Sequence, residues 1–453
     1  MRIHFIAIGG SAMHNLAIAL HKKGYHITGS DDEIFEPSRS RLKDLGLLPE
    51  EMGWFPEKIE ERPDAVILGM HARAGNPELE KARKLGIRVY SYPEYLYEHA
   101  KNKKRVVIGG SHGKTTITAI ILHVLKHCGK DTDYMVGAQL KGFDVMVKLT
   151  DNAEMMVLEG DEYLTSAEDR RPKFHIYRPN VALLSGIAWD HINVFPTWEG
   201  YINEFEKFVR LIEPEGSIVY CREDIEVVKV AMQAGNNIRK IAYGLPDHFI
   251  KDGVTWLMHG TVSIPLKVFG IHNLLNIEGA RMICREIGVK DDEFYSAIGT
   301  FPGAANRLEL VAANSRSAFF RDFAHSPSKL KATVNAVKLQ FPDRKLVACM
   351  ELHTFSSLSE NFLDLYRGTL DSADMPVVYY NPHTIALKRL PMVDIDQVKV
   401  AFNNKALTVY TDSKKLRNDL GSIDWEGKNL LMMSSGNFDN IPMKELVEDI
   451  LGR

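Results

Sequence analysis

The sequence predicts an α/β protein of three domains, each a largely parallel sheet with helices packed on it. Three observations carry that prediction. Strand-like apolar runs alternate with helix-like runs along the whole chain. Two apolar runs, residues 3–8 and 106–108, lead directly into a glycine turn and then a helix-like segment. After residue 300 a fresh set of strand-like runs begins.

The first domain is expected over residues 1–103. Residues 3–8 form its first strand, Gly9-Gly10-Ser11-Ala12-Met13 turn the chain, and a helix follows to Lys23. Residues 24–31 form a second strand ending in Ser30-Asp31, where a carboxylate can hydrogen-bond a ribose or base. Residues 65–70 form a third, ending at His71-Ala72-Arg73. The G-x-G-x-x-G dinucleotide fingerprint fails because position 11 is serine, which opposes an NAD-dependent oxidoreductase. The charged run 101–105 marks a joint. A second domain is expected over 104–300, with strands near 106–108, 155–158, 181–184 and 217–220. The third, 301–453, has strand-like runs at 318–320, 345–350, 376–380 and 429–433.

Bulk chemistry narrows the partners. Lys and Arg number 56 against 59 Asp and Glu, so the net charge is −3 and no nucleic-acid surface is indicated. The four cysteines lie far apart without a C-x-x-C pair, which fits a reducing compartment. The apolar N-terminal run is too short for a signal peptide, and no run reaches the roughly 18 apolar residues of a membrane span. A cytoplasmic protein that does not engage membrane is expected.

The most telling chemistry lies at Gly110-Ser111-His112-Gly113-Lys114-Thr115-Thr116. A strand precedes it and a helix follows. Backbone N–H groups and a helix N-terminus attract polyphosphate, the lysine reaches the terminal phosphates, and a threonine hydroxyl binds Mg²⁺. The loop is shorter than the general consensus, whose first glycine falls on Ile108. Glu159, in Leu158-Glu159-Gly160-Asp161-Glu162, follows another strand and can hold Mg²⁺; the alternative is a solvated acidic loop. Asp190-His191 follows a third strand, with His191 either a metal ligand or structural. Asn273 and Asn276 share a helix face and can read an adenine edge, or simply cap the helix. Arg307 near a domain joint can clamp a phosphate, or pair with Glu309.

These elements in series resemble the Mur ligase family, ATP-dependent amide-bond ligases of the bacterial cell wall. The resemblance covers essentially the whole chain and rests on the Gly9 turn, the short phosphate loop, Glu159-Gly160-Asp161-Glu162, Asp190-His191, and His272-Asn273 with Asn276. Arg307 and Asp322-Phe323-Ala324-His325 add to it. The resemblance implies a Rossmann-like N-terminal domain that binds the UDP end of UDP-N-acetylmuramate through Gly9, Gly10, Ser11, Ala12, Met13, Ser30, Asp31, His71 and Arg73. It implies a central P-loop domain that binds ATP through residues 110–116 with Asn273 and Asn276, and Mg²⁺ through Thr115, Glu159 and His191. It implies a Rossmann-like third domain that offers Asp322 to the ATP ribose and brings the amino substrate near His325, His353 and Thr354. Catalysis would rest on Lys114, His191 and Arg307, with Asp190 or His191 as base, in a monomer or homodimer.

Within the family the chain is most similar to members that join UDP-N-acetylmuramate to L-alanyl-γ-D-glutamyl-meso-diaminopimelate during wall recycling, and next to those that add L-alanine. It departs from both. His325-Ser326-Pro327 carries one histidine where two are usual, and residues 350–357 lack the arginine expected to meet the acceptor, leaving His353 or Thr354 in its place. That departure also motivates a reading as a non-catalytic UDP-sugar sensor.

Overall fold

The computed structural model describes residues 1–451 except positions 71, 74, 141, 144, 167, 191 and 193, and at 361, 444, 450 and 451 its backbone alone. The chain divides into two compact units: residues 1–187, 198–243 and 279–293 form the first, and 188–197, 244–278 and 294–453 the second.

The first unit contains two sheets. One is all parallel: β1 (Arg2–Ile6), β2 (His26–Ser30), β3 (Ala65–Leu68) and β4 (Val89–Ser91), in spatial order β2-β1-β3-β4. The other holds β5 (Lys104–Gly109), β6 (Asp133–Met135), β7 (Val147–Lys148), β8 (Met155–Glu159), β9 (Val181–Leu184), β10 (Ser217–Cys221) and β11 (Arg239–Tyr243). Their order is β11-β10-β9-β5-β8-β6-β7, antiparallel only between β6 and β7. Helices cover both faces of such sheets, so central strands read as unbroken apolar runs. Accordingly β9 is buried throughout and β5 from Arg105 onward.

Helix Trp198–Arg210 reads by a different period. Tyr201, Phe205, Phe208 and Val209 are buried and lie on one face. Phe174 stacks on Phe208 at 4.6 Å and meets Phe205 edge-on at 5.4 Å. Phe208 thereby comes beneath the second sheet at Gly109, where an added Cβ would approach its ring to 3.1 Å.

The second unit pairs a small antiparallel sheet with a larger one. The small sheet is β12 (His248–Lys251), β13 (Val254–His259) and β14 (Val262–Pro265). The larger holds β15 (Glu309–Ala313), β16 (Ala318–Asp322), β17 (Lys345–Glu351), β18 (Met375–Tyr379), β19 (Thr408–Tyr410) and β20 (Lys428–Met433). Its order is β15-β16-β20-β17-β18-β19, with β15 an antiparallel edge and the rest parallel. Leu330, Val334 and Val337 of helix Pro327–Gln340 share a core with Ala348, Met350 and Leu431. The predicted α/β class holds. Among the described residues no helix is long and apolar enough to cross a membrane.

Candidate active site

In the second sheet β5 lies between β9 and β8. The chain leaves β5 toward β6 on one side and leaves neighbouring β9 toward β10 on the other, and such a switch point is where open α/β sheets hold ligands. The phosphate loop occupies it. Gly110 has φ 132° and Gly113 has φ 83°, backbone values that suit glycine. A Cβ on Gly110 would collide with Ser185 Oγ. The Ser111 N–H donates to the Gly186 carbonyl at 2.8 Å, and helix Lys114–His127 starts directly after Gly113.

Lys114 Nζ donates to the Gly110 carbonyl and to Glu162 Oε2, both at 2.6 Å. Burial alone would lower the lysine pKa, but the carboxylates of Glu162, Asp161 and Glu159 outweigh it and raise it. Thr115 Oγ1 donates to Glu159 Oε1 at 2.8 Å, and the Gly137 N–H donates to Oε2 at 2.7 Å. The two expected metal-binding side chains thus meet, and oxygen donors of this kind suit Mg²⁺. The third expected ligand, His191, lies outside the described residues, as does His71. No group of three or more His, Cys, Asp or Glu side chains is placed to hold a metal among the described residues. Tyr201, which the sequence reading missed, reaches the loop from helix Trp198–Arg210: its hydroxyl is 2.8 Å from Ser111 Oγ and 3.4 Å from Glu162 Oε1.

The first sheet repeats this design at β1, which lies between β2 and β3. Asp31 Oδ2 accepts the Gly9 N–H at 2.7 Å, and a Cβ on Gly9 would meet Ile34 at 2.7 Å. Burial raises the Asp31 pKa and the Gly9 hydrogen bond opposes the rise. Helix Ser11–Lys22 begins after Gly10 with Ser11 and Ala12 exposed and Met13 buried. Ser30 is buried, with Lys58 Nζ 3.3 Å from its Oγ. Lys58 and His14, whose Nδ1 lies 3.0 Å from both the Gly10 carbonyl and Ser38 Oγ, are additions to the expected set. Arg73 is exposed, just before the Asn76 cap of helix Pro77–Lys84.

The second unit gathers another group. Asp322 ends β16 and is buried. Its Oδ2 accepts the Leu308 N–H at 2.6 Å and its Oδ1 the Ala324 N–H at 2.5 Å. Burial pushes its carboxyl up to about 6, against the pull of Arg307. The Arg307 guanidinium lies over the Phe323 ring at 4.7 Å. Buried Asp190 meets Lys329 Nζ at 3.3 Å and His325 Nε2 at 3.9 Å. Asn273 and Asn276 are buried early in helix Ile271–Glu286, and the Asn273 amide donates to the Phe269 carbonyl at 2.9 Å.

His353 Nδ1 lies 3.8 Å from Glu351 Oε1 at the end of β17. Glu351 accepts from Ser434 Oγ and, at 2.9 Å, from the Phe438 N–H. Thr354 is engaged locally, accepting the Ser357 N–H at 3.0 Å. Glu351 was also missed; the available signal was a carboxylate ending an apolar strand.

Known proteins sharpen the assignment. The Mur ligase middle domain matches residues 108–284, and the catalytic domain of the Mur ligase family matches residues 2–104. A UDP-N-acetylmuramate–L-alanine ligase from Desulfitobacterium hafniense is 30% identical over 390 residues, covering 83% of this chain and 84% of the relative. The chain belongs to the Mur ligase family. A second relative of this Mur ligase, the UDP-N-acetylmuramate–L-alanyl-γ-D-glutamyl-meso-2,6-diaminoheptandioate ligase of Escherichia coli, is 29% identical over 348 residues, 75% of this chain and 76% of the relative. The fold of this Mur ligase also matches a murein peptide ligase from Psychrobacter arcticus, with TM-score 0.68, 23% identity and 99% of both chains covered. A UDP-N-acetylmuramate–alanine ligase from Thermotoga maritima gives TM-score 0.72 at 22% identity, covering 99% of this chain and 98% of that one. As a Mur ligase it is an ATP-dependent enzyme of peptidoglycan synthesis that forms C–N bonds.

Proposed function

We propose that this Mur ligase joins UDP-N-acetylmuramate to the amine of an amino acid or peptide, with the tripeptide L-alanyl-γ-D-glutamyl-meso-diaminopimelate as the expected acceptor. The domains would be residues 1–103 for the UDP-sugar, 104–300 for ATP and 301–453 for the amino substrate. The observation that carries the ATP half is Lys114 and Thr115, held at the β5 switch point by Glu162 and Glu159. ATP would lie along residues 110–116, with Lys114 exchanging a carboxylate for phosphate oxygens. Arg307 would reach a phosphate, Asn273 and Asn276 the base, and Asp322 the ribose. Thr115, Glu159 and His191 would hold Mg²⁺, which when bound neutralises phosphate charge. The Gly9 loop, Ser30, Asp31, His71 and Arg73 would hold the sugar nucleotide.

The muramate carboxylate oxygen attacks the γ-phosphorus, the bond to ADP breaks, and an acyl phosphate forms. The deprotonated acceptor amine then adds to the acyl carbon, and phosphate leaves. Lys114 and Arg307 stabilise the phosphoryl charge. Asp190, next to Lys329 and His325, is the described candidate to take the amine proton. The reaction would take place in the cytoplasm.

A second reading, L-alanine as acceptor, is favoured by the 30% identity to the Desulfitobacterium enzyme. Competition separates the two: both amines are supplied together with UDP-N-acetylmuramate and ATP, and the products are resolved by mass. The tripeptide adduct is expected to dominate, and a dominant alanine adduct selects the second reading.

A further inference from the structure

Tyr201 is a fully buried phenol, and a buried Tyr hydroxyl is costly without a partner. Two of its partners belong to the phosphate loop and its counter-ion. The hydroxyl is 2.8 Å from Ser111 Oγ and 3.4 Å from Glu162 Oε1. The other oxygen of Glu162 holds Lys114 Nζ at 2.6 Å, and Lys114 returns to the Gly110 carbonyl at 2.6 Å. Gly110 adjoins Ser111, so the contacts close a ring: Ser111, Tyr201, Glu162, Lys114, Gly110. The ring of Tyr201 is fixed independently, edge-on to Phe205 at 5.1 Å and tilted against Trp198 at 6.3 Å.

We propose that Tyr201 is a positioning residue for the phosphate-binding lysine, acting through Glu162. The proposal rests on the reading of residues 110–116 as the ATP site. Tyr201 points one Glu162 oxygen at Lys114 by holding the other, and it anchors that carboxylate to the loop through Ser111. The Glu162 carboxylate keeps the ammonium charged in a buried place, in reach of a polyphosphate entering along the loop. When phosphate oxygens take over Lys114, Tyr201 keeps the released carboxylate on a hydrogen bond and away from the ligand's negative charge. The phenol thus contributes to nucleotide affinity without touching nucleotide.

Tyr201→Phe removes one oxygen and keeps the ring packing. The test is fluorescence titration of the full chain with a mant-labelled ATP and Mg²⁺, with UDP-N-acetylmuramate titrated separately. Tyr201→Phe is expected to raise the mant-ATP Kd about tenfold. Its UDP-N-acetylmuramate Kd should stay within about twofold and its melting temperature within about 2 °C. Glu162→Gln should raise the mant-ATP Kd as well, and Tyr201→Phe added to it should change little further, because both act in one chain. A wild-type Kd in Tyr201→Phe, or full multiplication of the two effects, overturns the proposal. If Lys114→Ala instead leaves the mant-ATP Kd unchanged, the reading of the loop has failed rather than the role of Tyr201.

Discussion

Lys114 carries the positive charge of the phosphate loop on one buried atom. Its Nζ sits among Glu159, Asp161 and Glu162, whose charges overcome the burial that would otherwise discharge it. Lys114→Ala is therefore expected to lower kcat/KM for ATP by about 10²–10³-fold while the protein stays folded. Phosphate-release kinetics check this, and near-wild-type turnover would remove Lys114 from the mechanism. Asp322 shows the opposite balance, because burial pushes its carboxyl up to about 6. Between about pH 4 and 6 the folded chain holds a proton that the unfolded chain has lost. This contribution to stability is full below about pH 4 and is lost as pH rises through about 6, a fall of about 3 kcal/mol. The stability advantage of wild type over Asp322→Asn should shrink by roughly that amount from pH 4 to 7, in urea unfolding. A pH-independent difference would contradict it. The asparagine also loses an acceptor: Asp322 accepts two backbone N–H groups, on separate oxygens, and an amide has one acceptor oxygen.

The elements that build the sites differ in how openly the sequence announces them. Strands β5 and β9 are buried on both faces, so they read as apolar runs, and the glycine turns after β1 and β5 mark the two switch points. Gly110→Ala tests the second turn. The alanine would be strained at φ 132° and its Cβ would strike Ser185 Oγ. Loss of most mant-ATP affinity is expected by titration, and an unaffected Kd would show that the loop conformation is dispensable. Sheet β12-β13-β14 was not foreseen, because most of its side chains are exposed or half-buried and leave a weak apolar alternation. Short edge strands such as β7 and β19 carry too few residues for a pattern. Helix Trp198–Arg210 was hidden differently. Packing alone accounts for its apolar face, and only the structure shows the Tyr201 hydroxyl reaching Ser111. At the end of β5, Phe208→Ala should cost about 3–5 kcal/mol, read by denaturant unfolding; a cost under 1 kcal/mol would deny that this face is close-packed.

Across the whole molecule, glycine turns follow β1 and β5 at strand ends, where the proposed function puts the sugar nucleotide and ATP. The proposed reaction needs a phosphate cradle, a sugar-nucleotide site and an amine site. The residues proposed for the first two stand out in the sequence as glycine, lysine and aspartate at strand ends, and the structure brings Lys114 to Gly110 and Glu162, and Asp31 to Gly9. The amine site was less legible. His353 stands where an arginine was expected, and Glu351, 3.8 Å from it, is a carboxylate fixed by Ser434 and the Phe438 N–H. The residues that would meet the acceptor depart here from the pattern of the family, so the sequence alone does not choose between the two amines. Phosphate release from ATP, measured with UDP-N-acetylmuramate alone, with each amine alone, and with both together, tests the central claim most directly. Release is expected only when sugar nucleotide and amine are both present, and faster with the tripeptide than with L-alanine. Release that ignores the sugar nucleotide, or none with any amino acid or muropeptide offered, would contradict it.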